Sequence, residues 1–338
     1  MFIYFVRRFL LLIPTFFGIS LVTFVLINLA PGSPIDQKIQ QLQFGGEGSA
    51  SRSRDTGVSP QVIEQLKKQY GFDKPLHERY VLWLKNMLHL DFGRSFYYEE
   101  PVMSVIQSKF PVSLQFGLSA LFLTYLICIP LGVKKAISAG GAFDRISGVL
   151  LYFAYSVPTL VFGIFLVVFF AGGSYFEWFP IGGLQSDDYE SLTLWGKIFD
   201  RGHHFVLPLT CYLIGGFTEL TMMMRNSMLD VIKMDYIRTA RAKGLSEKLV
   251  YFRHALRNAL IPVATGIGGY FGVFLAGSLI IETIFDLDGI GKLSYNSIFT
   301  RDYNVIMGLT FLTSMLLMFG RLLSDLIYVL VDPRIDFK

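Results

Sequence analysis

The chain has 338 residues, of which 52% are hydrophobic, 15% aromatic and only 17% charged, with a formal net charge of +4. Soluble domains of this length carry about a quarter charged residues, so the deficit, collected in long apolar runs, excludes an ordinary soluble enzyme. The basic residues sit in loops between those runs, which argues against a nucleic-acid partner; Cys128 and Cys211, each inside an apolar run, offer neither a disulfide framework nor a metal-binding spacing.

The first run, Phe9 to Ala30, follows Arg7 and Arg8. Its length of about 33 Å as a helix is enough to cross a hydrocarbon core. A cleaved signal peptide has the same charge-then-apolar order, but the run is long for one and Asn28-Leu29-Ala30-Pro31 is a poor cleavage site. A retained first helix is expected. The stretch from Pro31 to Phe110 is mostly polar. Within it Gly45 to Gly57 reads as a flexible linker, Ser59-Pro60 as the start of a short helix ending near Gly71, and Leu76 to Leu90 as an amphipathic helix carrying Tyr80, Trp83, Leu84 and Leu88. Together they predict a small external helical appendage.

Five further spans are expected, over 112–133, 146–171, 205–224, 261–285 and 305–331. Interior prolines (Pro130, Pro158, Pro208) are tolerated in membrane helices, where neighbours satisfy freed backbone groups. The resulting class is an all-α integral membrane protein with six transmembrane helices: 1–30 as helix 1, 31–110 external, 111–331 the core of helices 2–6, and 332–338 a short tail. Basic residues number eleven in the loops 134–145 and 225–260, against four in 172–204 and 286–303. This bias predicts cytoplasmic amino and carboxyl termini.

The 225–260 loop is the most informative. Met228 to Lys243 reads as a helix that Gly244 ends in the left-handed conformation; Ser246 is placed to cap a second helix, with Glu247 near its positive end, running on to about Ala259. The expected product is a basic helical hairpin just below the bilayer. A contact with lipid phosphates alone is the simplest role for such a feature.

Its wording is more specific. Tyr236-Ile237-Arg238-Thr239-Ala240-Arg241-Ala242-Lys243-Gly244-Leu245-Ser246, followed by His254-Ala255-Leu256-Arg257-Asn258-Ala259, resembles the EAA loop of ATP-binding-cassette (ABC) importer permeases of the dipeptide/oligopeptide family. Tyr70 to Leu76, Asp91-Phe92-Gly93-Arg94-Ser95, Glu282 to Leu293 and Asp332-Pro333-Arg334-Ile335 resemble further segments of that family, so the likeness covers essentially the whole chain. Phe170-Ala171-Gly172-Gly173-Ser174 and the carboxyl end are most similar to the Yej branch, whose members import peptides and peptide-like antibiotics of the microcin C type. Arg238 stands where the general motif has glutamate, Arg257 near a later proline of the motif, and Asp288 in place of a proline common in the wider family.

The resemblance implies a type I importer permease in the bacterial inner membrane. It also implies a second, non-identical permease, ABC ATPase subunits, a periplasmic or lipid-anchored substrate-binding protein and a peptide substrate. ATP and Mg would be used by the ATPase partners, this chain holding no cofactor or metal and being no enzyme. The coupling residues implied are Asp235, Arg238, Thr239, Ala240, Arg241, Ala242, Lys243, Gly244, Leu245, His254, Arg257 and Asn258. Glycine would supply the turn, and the alanines a close approach to the ATPase groove.

Outside the loop, Glu219 is a charge within a span and a candidate for the translocation path, although a structural partner would explain it equally. Arg321 and Asp325 are spaced to pair with each other. Gly268, Gly272 and Ala276 form a small-residue stripe suited to close helix packing. Gly289-Ile290-Gly291-Lys292-Leu293-Ser294 lacks the spacing of a phosphate-binding loop. His203-His204 suits an interfacial location, and no catalytic constellation stands out. Two alternatives remain at this point: an ion-gradient-driven secondary transporter, which would need paired half-repeats, and a membrane-embedded enzyme.

Overall fold

The computed structural model describes residues 2–29, 64, 73–173 and 175–331; the expected flexible linker at 45–57, the short helix from Ser59 to Gly71 and the tail after Val331 lie outside them. Among the described residues the chain is helical, with one isolated bridge (Arg94 to Pro101) and no strand. The helices are α1 (Phe2–Leu29), α2 (Leu76–Met87), α3 (Val102–Ile137), α4 (Ala142–Ser156), α5 (Thr159–Phe170), α6 (Leu194–Ile232), α7 (Asp235–Ala242), α8 (Leu256–Leu275), α9 (Leu279–Ile284), α10 (Ile290–Phe299) and α11 (Tyr303–Val331).

Four of these (α1, α3, α6 and α11) are long and apolar enough to cross a membrane, and α4 with α5 makes a fifth span if the bent pair counts as one. With 36 and 39 residues, α3 and α6 outrun the bilayer. At about 1.5 Å per residue they reach roughly 54 and 58 Å, against a hydrocarbon core of about 30 Å.

Two of the expected spans are not single helices. The one placed over 146–171 is bent by 95° between α4 and α5. Pro158 is the cause: it pushes Val157 out of the helical region, to φ −84° and ψ 119°, and opens the next helix itself. Pro130 and Pro208, by contrast, stay inside α3 and α6. The span placed over 261–285 stops at Leu275. Gly277 then takes φ +78°, and Ser278 caps α9 by accepting the Ile281 N–H at 3.3 Å. Ala276, expected on the small-residue stripe, therefore lies in the break.

The described residues divide into two compact units, one drawn from 111–292 with 315–331, the other from 2–110 with 293–314. In the smaller unit, Phe16 of α1 meets Phe311 edge-on at 5.5 Å, and Phe24 packs on Tyr80 of α2 at 5.2 Å. Tyr80 also shares a 2.9 Å hydrogen bond with Ser20, whereas Leu88, expected on the same apolar face, is exposed. Buried Asp302 accepts from the Ser95 hydroxyl at 2.5 Å and the Tyr97 N–H at 3.1 Å, and so pins the Asp91–Ser95 segment.

The larger unit holds two apolar clusters. One joins α3, α5, α6 and α9 through residues such as Phe116, Leu166, Leu207 and Ile281; the other joins α3, α6, α7 and α8 through Val133, Leu220, Met224, Ile237 and Ala259. Gly268 of α8 faces the backbone of Gly320 and Ser324 on α11 so closely that no Cβ fits. That is the close helix approach expected of a small residue, made within the chain. Arg321, expected to pair with Asp325, is exposed.

Candidate functional site

The foot of α6 ends at Ile232, not continuing to Lys243 as expected: Met234 is extended, at φ −69° and ψ 150°, and a separate helix α7 begins at Asp235. Asp235 sits in its first turn, where a negative charge favours the helix end. The C-terminus of α7 is closed by Gly244 at φ +78°. The Gly244 N–H donates to the Arg241 carbonyl at 2.9 Å and the Leu245 N–H to the Ala240 carbonyl at 3.4 Å, the two bonds of a Schellman motif. Leu245 then tucks against the cluster that contains Ala240.

Ser246 occupies the cap position of the following turn, but its side chain accepts no capping hydrogen bond; only its carbonyl is used, by the Val250 N–H at 3.0 Å. From Glu247 the chain makes one α-turn, a π-helical stretch over Val250–Ala255, and then α8. A π-stretch leaves no trace in a 3.6-residue apolar period, so the sequence carried no signal for it.

Arg241 locks the two arms. It donates to Glu247 at 2.8 and 3.2 Å and lies over the Tyr251 ring at 5.7 Å. The hydrogen bond from Arg241 holds the Glu247 carboxyl below the ordinary carboxylate range and, reciprocally, the guanidinium pKa rises. Across the base, the Asn258 amide donates to the Tyr236 hydroxyl at 2.7 Å, and the Ser227 hydroxyl to the Ala259 carbonyl at 2.8 Å.

The residues predicted for coupling thus divide by direction. Ile237 and Ala240 turn inward, so Ala240 packs against the chain's own core and is not offered to a partner. Asp235, Arg238, Thr239, Ala242, Lys243 and Gly244 form the exposed face of the turn. His254, Arg257 and Asn258 instead line a groove of about 1180 Å³ beside the foot of α6.

Higher on α6, Glu219 is exposed on the wall of a cavity of about 690 Å³, which Gly215, Gly216, Gly266, Gly269 and Tyr270 also line. No lysine, arginine or histidine is among the lining residues.

Two charged networks escaped the sequence reading. Lys135, counted there as a loop cation, is fully buried: its ammonium lies 3.2 Å from Asp144, and donates to the Asp144 carbonyl at 2.7 Å and the Ser147 hydroxyl at 2.8 Å. Arg225 holds the same carboxylate in a fork, at 2.8 and 2.6 Å. The group ties α3, α4 and α6 together. The second network surrounds Glu282, which is fully buried and accepts from the hydroxyls of Ser113 (2.7 Å) and Tyr212 (3.2 Å) and from the N–H groups of Ser278 (3.1 Å) and Lys292 (3.0 Å). Four neutral donors replace the water the carboxylate has lost. Gly289 and Gly277 are held tightly here, since a Cβ on either falls within 2.5 or 2.7 Å of a Glu282 oxygen. The glycines of the failed phosphate-loop match therefore have a packing reason, since a Cβ on Gly291 would likewise fall within 2.4 Å of the Ser278 backbone. His204 Nδ1 lies 2.9 Å from the Asp200 carbonyl one turn earlier in its own helix, a local contact.

Long apolar helices, a bent span and a closed basic hairpin at the foot of the longest helix define a multi-pass membrane transport subunit. Residues 128–337 match the family of binding-protein-dependent transport system inner membrane components, and the chain belongs to that family. It is 43% identical to the peptidoglycan transport system permease protein YejB of Agrobacterium fabrum, over 99% of this chain and 98% of that protein. It is 40% identical to the inner membrane ABC transporter permease protein YejB of Escherichia coli O157:H7, over 99% of both chains. The dipeptide transport system permease protein DppB of Escherichia coli K12 is 34% identical over 98% of each. Among solved structures, the inward-facing methionine ABC transporter MetNI in its CY5 native crystal form matches with a TM-score of 0.50 and 15% identity, over 68% of this chain and 97% of that one. This last likeness bears on the fold alone. Membership in a family of inner-membrane transport components sets aside the membrane enzyme and the ion-driven carrier, and makes the chain a multi-pass inner-membrane protein.

Proposed function

We propose that this chain is one of two non-identical permease subunits of an ABC importer for peptides or peptide-like compounds. In this reading it has six spans, α8 with α9 counting as the fifth, and the external appendage follows the first. Both termini and the hairpin 235–259 face the cytoplasm. The hairpin seats in an ATPase subunit, a binding protein delivers substrate from outside, and ATP with Mg is used only by the ATPases. The observation that carries the reading is the hairpin: its inward face is fixed to the core by Ile237 and Ala240, its turn is closed by Gly244, and its outward face is left open. The full-length similarity to permeases named for peptide and peptidoglycan transport supports the substrate class.

A rigid hairpin couples only if the ATP-bound and free ATPase states contact it differently. Reconstitution tests the proposal. The purified chain should hydrolyse no ATP, and its complex with the second permease and the ATPases should hydrolyse ATP faster when loaded binding protein is added. Hydrolysis by the lone chain would overturn it. The orientation is checked with single cysteines between Gly45 and Gly57 and between Lys243 and Lys248; an impermeant thiol reagent applied to intact cells should label only the first.

A further inference from the structure

The cavity beside Glu219 is built for room, not for packing. A Cβ added at Gly215 or Gly269 would meet nothing within 4 Å, so neither glycine is required by a neighbour, although each lies inside a helix, α6 or α8. Glycine in a helix interior costs about 0.5–1 kcal/mol relative to alanine. Here the missing side chains widen the space that the two helices enclose. On its wall stands one carboxylate, exposed to the cavity, with Tyr270 also among the lining residues. The other polar lining groups are Thr159, Tyr212 and Ser278, all uncharged. An acid placed among membrane helices with no cation lining its cavity is expensive unless something positive comes to it.

We propose that Glu219 is the docking point for the ammonium group of a passing peptide, its amino terminus. The inference rests on the permease reading above and adds a charge preference to it. The volume of about 690 Å³ on this chain's side admits a peptide end, and a carboxylate without a resident cation binds an ammonium without first displacing one. The contact is transient by construction, because the cavity is open and water competes for both charges.

The test uses the complete complex, with both permeases, the ATPases and the binding protein, in proteoliposomes, and tri-alanine with a free amino terminus as the probe. Glu219→Asp keeps the charge, whereas Glu219→Gln keeps the size and removes it. Hydrogen bonds to charged groups are worth enough that uptake by Glu219→Gln should fall about tenfold, with Glu219→Asp close to wild type. Hydrolysis stimulated by loaded binding protein should stay at the wild-type level in both variants, which separates loss of substrate recognition from loss of assembly. Equal uptake by wild type and Glu219→Gln overturns the proposal, as does an equal loss in Glu219→Asp and Glu219→Gln. A loss of stimulated hydrolysis in Glu219→Gln also overturns it, assigning the carboxylate to contact with the second permease. If hydrolysis by the wild-type complex does not respond to binding protein at all, the permease reading itself fails, not the charge preference alone.

Discussion

Replacing Gly244 by valine isolates the backbone of the hairpin turn, proposed to contact the ATPase, from its contacts. The residue has φ +78° and is exposed, and a Cβ built on it meets no atom within 4 Å. No clash contributes, so the whole cost is conformational. A left-handed residue with a Cβ costs about 1–2 kcal/mol, and a β-branched one lies nearer the upper end of the 1–3 kcal/mol range for strained positions. At about 1.4 kcal/mol per tenfold, the closed turn loses one to two orders of magnitude in population relative to opened forms. Opening breaks the bonds from Gly244 to Arg241 and from Leu245 to Ala240, and pulls Leu245 off the core. Gly244→Val should therefore lower affinity for the ATPase subunits at least tenfold and reduce uptake in proportion, while the melting temperature of the detergent-solubilised chain moves little. Asparagine tolerates the left-handed region, so Gly244→Asn should stay near wild type, and Lys248→Ala, at an exposed position, should be milder than valine. ATPase pull-down and proteoliposome uptake of the three variants are the measurements. Valine at wild-type levels in both assays, or asparagine as damaging as valine, would refute the reasoning.

The other perturbations test the supports of the hairpin and of the cavity. Asp144→Ala leaves the buried Lys135 and the forked Arg225 without their shared acid, and breaking a buried pair in this way costs about 3–5 kcal/mol. Its melting temperature and membrane abundance should drop sharply, and an unchanged melting curve would show the network to be dispensable. Gly289→Ala puts a Cβ 2.5 Å from both a Glu282 oxygen and the Ser113 hydroxyl, an overpacking worth about 1–3 kcal/mol. Gly215→Ala, which meets nothing inside α6, should raise stability by about 0.5–1 kcal/mol, and equal melting of the two variants would contradict the packing described around Glu282. For Glu247 the direction of pH dependence follows from its depressed carboxyl pKa. The Arg241 contact contributes fully above the unfolded value of about 4.3 and is lost as pH falls through the lower, folded one. Amide exchange over 241–251, corrected for intrinsic rates, should be flat from pH 8 to 5 and rise only in more acid solution; deprotection already at pH 6 would rule the pair out as the lock.

What the sequence showed of this fold depended on whether the signal was local. The apolar runs of α1, α3, α6 and α11 announce themselves, because a membrane helix must bury about twenty consecutive residues in hydrocarbon. Gly244 was legible for the same kind of reason: a basic helical pattern ends where a residue can adopt positive φ. The break at Val157 was missed although Pro158 was seen, since Pro130 and Pro208 have the same local chemistry and do not interrupt their helices. Neighbours decide between those outcomes. The stop after Leu275 was hidden inside an unbroken apolar stretch, its cause being Gly277 in a left-handed conformation over the Glu282 carboxylate. Glu282 stood in sequence at the end of an expected span, and Asp144 and Lys135 in an expected loop. Only partners far along the chain, such as Ser113 for Glu282 or Arg225 for Asp144, make them structural.

Helix α6 connects the two halves of the candidate site. Glu219 lies on it 13 residues before its end at Ile232, about 20 Å along the axis. On the adjoining face, Leu220, Met224, Met228 and Val231 recur at helical spacing and are buried in one cluster with Ile237, Ala240, Val250, Ala255 and Ala259 of the hairpin and Cys128, Val133 and Ala136 of α3. Close-packed interiors do not deform continuously; they move as bodies or repack between discrete arrangements. Gly132 makes the packing tighter still, since even a Cβ there would come within 2.6 Å of Met224. The hairpin therefore cannot shift without carrying α6, and α6 cannot shift without moving the wall on which Glu219 stands. A force applied at Gly244 and a charge presented at Glu219 act on the same rigid element. On the proposed function, an ATPase that binds the hairpin differently in its two nucleotide states would thereby change the access of a peptide ammonium to the carboxylate, with no separate relay between them.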